Sequence, residues 1–212
     1  PLLLKAIKKG GAPATAAIEA LGRIGGDDAA DVLLAQVGTG NDAAAQEALK
    51  SIKCDLGERV SKALAAAKTA GRQKALLAVA GNRHLKSVAG QALALCGDGN
   101  QEVATTALAI LPCVVGPKDA AQVAGRLDKA PEAQVQAYQA ALRASVAPQD
   151  AMTQYSVLSG EMKKATRQAR FYPVLATTGT EASVDELQAI WEQEKSAEAL
   201  ETLRGVDTVV LD

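Results

Sequence analysis

Aromatic residues are scarce in this chain of 212 residues: one Trp, one Phe and three Tyr, or 2% of the sequence. With so few large rings, a core must be built from Leu, Val, Ile and a great deal of Ala, and apolar types together reach 48%. Alanine is the strongest helix former, and its small side chain lets helices approach closely. Histidine occurs once, as His84, which excludes a site built on several imidazoles. Cysteine occurs three times, as Cys54, Cys96 and Cys113, and an odd count excludes a fully paired disulfide framework. No excess of basic charge exists either. The net charge is −1 and the pI about 6.0, which argues against a dedicated nucleic-acid binder with its strongly basic face.

Long hydrophobic runs are missing too. The longest, Ala107 to Gly116, contains Pro112 and falls short of the roughly 18–20 apolar residues needed to cross a bilayer, so no membrane insertion is expected. VDTVVLD at the C-terminal end is the one strand-like segment. No Ser–His–Asp set, phosphate-cradling glycine loop or paired-carboxylate signature can be assembled, so no catalytic residue, cofactor or metal ligand is assigned. The sequence does not begin with Met, and its first residues do not follow a signal-peptide pattern.

What is present is a repeat. In Ala17–Val37, Ile18, Leu21 and Ile24 recur at intervals of three beside Ala17 and Ala20, an apolar stripe on one helix face. Gly25 and Gly26 end that helix, because glycine takes left-handed backbone without steric cost. Asp27 or Asp28 is expected to cap the next helix, whose stripe is Ala30, Leu33, Leu34 and Val37. Such a hairpin cannot bury its own apolar face, so it needs stacked neighbours. They are visible as EALGRIGG, EALKSIKC, KALLAVAG, TALAILPC, AALRASVA, PVLATTGT and ETLRGVDT, aligned on Leu21, Leu49, Leu76, Leu108, Leu142, Leu175 and Leu203. The intervals of 28, 27, 32, 34, 33 and 28 residues suit a helical solenoid with variable turns.

Residues 1–9 look like the second helix of a unit. Asn41 or Asp42 should cap repeat two, whose second helix is expected over 56–70. Pro117, Pro131 and Pro148 should open helices, and Pro112 should kink or stop the first helix of repeat four. Repeat six should begin near Lys163 with Pro173 inside its first helix, and Ser183–Glu186 fits a capping box for its second. No interdomain linker is evident, so residues 1–212 read as a single repeat domain. Both ends are apolar, whereas solenoid ends are normally capped by polar faces; a piece of a longer protein is expected.

These copies resemble HEAT-like repeats of the short bacterial type, also called the phycobilisome-lyase repeat. The match rests on Ala17, Ala20–Leu21–Gly22, Ile24–Gly25, Ala29 and Leu33, and in weaker form it covers most of residues 1–205. The resemblance implies an all-α fold, an α–α superhelix of about six to seven helical hairpins. It implies a non-catalytic scaffold in a larger bacterial protein, located in the cytoplasm or periplasm, with a protein partner or another domain of the same chain as its ligand. Two enzyme roles are also implied: the repeat region of a secreted multidomain hydrolase acting on sugars, and a subunit of a phycobilin-lyase-like chromophore lyase. HEAT-type metal hydroxylases bind iron through repeated His–Glu pairs, whereas His84 is followed by Leu85. HEAT-like DNA glycosylases need a basic, aromatic-lined groove, which this composition does not favour.

Three groups of residues carry a functional reading beside a plain one. The cysteines are free packing thiols, or Cys96 and Cys113 of adjacent repeats approach each other. Tyr138, Tyr155, Phe171, Tyr172 and Trp191 form a strip for a partner, or fill wider gaps between helices. Lys163, Lys164, Arg167 and Arg170 would form a stripe on one helix, receiving an acidic segment or a phosphate, or simply a solvated face. The candidate partner-binding set is therefore Lys163, Lys164, Arg167, Arg170, Tyr172 and Trp191.

Overall fold

Ala14, Ala17, Ile18 and Leu21 are buried along one face of the second helix, and the chain then breaks at Gly25 and Gly26. Both glycines have positive φ, 72° and 82°, backbone that a side chain would oppose. The next helix buries Ala29, Ala30, Leu33 and Leu34. The computed structural model describes residues 2–206, and over these the protein is all-α, with no strand among the described residues. VDTVVLD lies outside them apart from Val206.

The chain divides into two compact units, Pro1–Val114 and Val115–Asp212. The first holds α1 (Leu2–Lys9), α2 (Gly11–Ile24), α3 (Asp27–Gln36), α4 (Asp42–Ser51), α5 (Gly57–Ala65), α6 (Ala70–Asn82), α7 (Ala89–Leu95) and α8 (Gln101–Val114). The second holds α9 (Ala120–Lys129), α10 (Val135–Val146), α11 (Ala151–Lys164), α12 (Tyr172–Ala176), α13 (Glu181–Glu194) and α14 (Ala197–Arg204). Short 3-10 turns precede α7, α9, α10 and α12. The division falls beside Gly116–Pro117, within one sequence repeat.

Within the first unit, first helices of successive hairpins pack in order, α2 on α4, α4 on α6, α6 on α8, while α3 packs on α5. Each second helix also packs on the first helix that follows: α1 on α2, α3 on α4, α5 on α6, α7 on α8. The second unit repeats the scheme, with α10 on α12, α12 on α14, and α9 on α10 and α11. The aligned leucines explain this. The residue before each leucine and the residue three after it are buried in all five interior repeats: Ala48 and Ile52, Ala75 and Val79, Ala107 and Leu111, Ala141 and Ser145, Val174 and Thr178. Ser145 and Thr178 occupy an apolar place because their hydroxyls donate to the carbonyls of Leu142 and Leu175, at 2.7 and 2.9 Å. In repeat four the stripe is turned slightly, so Leu108 is half-buried while Ala107 and Leu111 fill the core.

Several helix ends differ from expectation. Asp27 and Asp28 sit inside the first turn of α3, where Gly26 is the N-cap without a side-chain bond; carboxylates there meet the positive end of the helix dipole. Asn41 holds the N-cap position of α4 without capping it, and Asp42 accepts the Gly38 N–H instead. α5 is shorter than the expected span 56–70, ending at Ala65. α8 carries Pro112 and stops two residues later. Lys163 lies in the last turn of α11 rather than opening repeat six, whose first helix is the five-residue α12 with Pro173 in its first turn. The cap of α13 is Thr180, accepting from the Ser183 N–H at 3.1 Å, three residues before the expected box. His84 lies on a turn with φ 51°.

Candidate functional site

The sequence-derived set lies in the second unit, on the run from the end of α11 through α12 to α13. Tyr155, Ser159 and Lys163 recur every four residues and so share one face of α11. Glu186 of α13 meets that face: its Oε1 accepts from Lys163 Nζ at 2.8 Å and from Ser159 Oγ at 3.0 Å. Burial pushes the Glu186 carboxyl up, but the bonds from Lys163 and Ser159 outweigh it, and its pKa lies below the ordinary value. The Lys163 ammonium is raised, first by its hydrogen bond to Glu186. Burial, reinforced by the Glu186 charge, pushes the Tyr155 phenol up. A carboxylate held ionised and a lysine held protonated do not make a general base near neutral pH. The cluster is a brace between α11 and α13.

Beyond Lys164 the chain leaves the helix. Ala165 is extended and Arg167 caps a 3-10 turn, Gln168–Phe171. The four basic residues therefore do not form one helical stripe, because α11 ends at the second of them. Lys164 pairs with Glu161 at 2.7 Å within its own helix. The backbone N–H of Arg167 donates to Asp128 Oδ1 at 2.7 Å, and its side chain is exposed. That N–H is the first cause holding the Asp128 carboxyl below its usual pKa.

Arg170 turns inward. Its side chain is 11% exposed, and Nη1 donates to the carbonyls of Leu127, Asp128 and Ala130 at 3.0, 3.2 and 2.6 Å, while Nη2 pairs with Glu132 at 3.2 Å. These carbonyls end α9, so the guanidinium caps that helix and sits at the negative end of its dipole. Arg72 does the same for α3, donating to Val37 and Leu34 at 2.9 and 3.3 Å. Tyr172 is 2% exposed, and burial pushes its phenol up. Tyr138 and Phe171 are buried as well, so these three aromatics are core. Trp191 is half-buried, with Lys195 Nζ 5.9 Å from its ring centroid. Of the six, Lys163, Lys164 and Arg167 present exposed side chains and Trp191 a partly exposed one; Arg170 and Tyr172 face inward.

Sequence reasoning missed Glu186 as the partner of Lys163, with Ser159 donating to the same carboxylate and Tyr155 beside it. The four-residue spacing on α11 was the available signal. No disulfide joins the three cysteines; Cys96 is buried and the others are half-buried, and burial is the first cause raising the Cys54 thiol. Among the described residues, no cluster of three or more His, Cys, Asp or Glu is placed to hold a metal ion. No helix of the described residues is long and apolar enough to cross a membrane. Comparison of the chain with protein-family models, curated proteins and solved structures finds no match.

Proposed function

We propose that this chain is a non-catalytic helical-repeat scaffold, HEAT-like hairpins in an α–α superhelix, which binds a protein partner or another domain of its own polypeptide. The observation that carries this reading is the turn between α11 and α12. Asp128 holds the Arg167 backbone and Arg170 grips three carbonyls, so both ends of the turn are tied to α9. Lys164 and Arg167 are thereby displayed on a fixed backbone, which lowers the ordering cost of binding. A cation at the end of α11 and another on the tied turn suit the carboxylates of an acidic segment, with Arg167 able to make a bidentate pair. The Ser159–Glu186–Lys163 brace keeps the neighbouring helices in place.

A fluorescently labelled oligoglutamate peptide tests this by anisotropy. It should bind the protein with an affinity that falls as salt rises. Lys164→Glu with Arg167→Glu should weaken binding about tenfold or more while leaving the helical circular dichroism unchanged. Equal binding by the folded double variant would remove this turn as the site.

A further inference from the structure

A second set of charges stands in the first unit, between two of its first helices. α2 and α4 pack side by side, and Gly22 meets Ala48 so closely that a Cβ there would lie 2.9 Å from the Ala48 Cβ. These two residues also form the floor of a groove of about 660 Å³, bordered along α2 from Thr15 to Arg23. Three charges line it: Glu19 and Arg23 of α2, and Glu47 of α4. Glu19 and Arg23 are four residues apart, the spacing at which a helical ion pair ordinarily forms. Among the described residues, neither side chain makes an ion pair or a hydrogen bond. Glu47 pairs with Lys50 at 2.6 Å within its own helix, and both are well exposed, so little holds that pair together.

The repeat register puts the two carboxylates at equivalent places. Glu19 and Glu47 each stand two residues before the aligned leucine, Leu21 and Leu49. The same place holds Lys74 on α6, where the charge is tied to Glu102 of α8 at 2.5 Å, and the uncharged Thr106 on α8. Among the first helices of this unit, carboxylates at this place therefore belong to α2 and α4. Size and spacing then say what fits between them. From Thr15 to Arg23 the helix rises about 12 Å, the length of about four extended residues. Glu19 and Arg23 lie about 6 Å apart along the axis, close to the roughly 6.6 Å between side chains i and i+2 on one face of an extended peptide.

We infer that the α2–α4 groove binds an extended peptide segment carrying a basic and an acidic side chain two positions apart. The basic side chain lies between Glu19 and Glu47. The acidic one pairs with Arg23, whose guanidinium takes a carboxylate through two parallel bonds. The groove belongs to a different unit from the basic turn, so the two readings stand or fall separately.

Two fluorescein-labelled octapeptides of the same composition test this by anisotropy on the whole chain. One repeats Lys-Lys-Glu-Glu, which sets opposite charges two positions apart; the other alternates Lys-Glu, which sets like charges there. Both are too short to hold a helix in water. The first should bind about tenfold more tightly than the second. Glu19→Gln with Glu47→Gln, and separately Arg23→Gln, should each weaken its binding about tenfold. Helical circular dichroism should not change in these variants, because all three side chains are exposed. Lys164→Glu with Arg167→Glu should leave the binding intact. No binding of the first peptide, or equal affinity for the two, overturns the inference, and so does full binding by the folded glutamine variants. Binding lost only in the Lys164→Glu, Arg167→Glu variant places the peptide on the basic turn and overturns it as well.

Discussion

Arg170 shows how single residues carry this fold. One guanidinium satisfies three carbonyls at the end of α9, and the carboxylate it pairs with, Glu132, is exposed to solvent. Arg170→Ala leaves those carbonyls without their donor, and a loss of about 2–4 kcal/mol is expected in urea denaturation of the chain. Arg170→Lys should recover only part of it, since an ammonium is a point donor and the guanidinium a planar fork. Equal stability of wild type and Arg170→Ala would show that the carbonyls are satisfied by water instead. The carboxylates give a second prediction at the same scale. Asp128, Asp150, Glu102 and Glu186 all have pKa values below the ordinary ones. Their contribution is full above the unfolded carboxyl pKa of about 4 and is lost as pH falls through the lower folded values. Thermal midpoints should therefore drop below about pH 4, and Asp128→Asn should flatten that drop, because an amide oxygen still accepts the Arg167 N–H but does not titrate. An acid profile identical in the variant would exclude Asp128 from it.

Elements are set by how closely backbones approach. A Cβ on Gly22 of α2 would lie 2.9 Å from the Ala48 Cβ and 3.2 Å from its Cα on α4, so the helices must separate. Gly22→Ala gains roughly 1 kcal/mol of helix propensity, yet a net loss of about 1–3 kcal/mol is expected in chemical denaturation. Gly81→Ala meets only side-chain atoms of Ile110, at 2.9 and 3.2 Å, and should lose less. Gly38→Ala should lose most, about 3 kcal/mol, because φ is +76° and the Arg72 Cα would stand 2.7 Å away. The reverse ranking would mean that neither approach is tight. The hairpins themselves were legible in the sequence, since glycine breaks and leucine spacing are local signals. The caps were less so: Asp27, Asp28 and Ser183 are good capping types one to three positions inside the true end, and type alone does not fix position. The candidate site was partly legible. Clustering of Lys163, Lys164, Arg167 and Arg170 showed in the sequence, but Ala165 breaks the helix between them, and only the fold brings α9 near enough to draw Arg170 inward. Tyr172 went inward because α12 is five residues long and fills its space with large side chains.

At the scale of the molecule, side-chain ties between elements reach only the next hairpin or two. Ser61 bonds Gln91 thirty positions on, Arg83 reaches back to Lys50, and Arg170 reaches back 43 positions to Leu127. Stability in such a chain is close to a sum over neighbouring repeats, so damage should stay near its source. Leu49, fully buried in α4, is the place to test this in the first unit. Leu49→Ala removes core contacts and should lower stability by about 2–5 kcal/mol, whereas half-buried Leu203→Ala should cost under about 1 kcal/mol. Amide hydrogen exchange followed by mass spectrometry then separates local from global loss. In Leu49→Ala, protection should fall in α4 and in its packing partners α2, α3 and α6, and far less in α8, which packs on α6 and α7. A uniform fall from α2 to α8 would mean that these seven helices open as one block. The packing order seen along the first helices would then be a feature of a cooperative core, and the neighbour-by-neighbour account of this protein would be wrong.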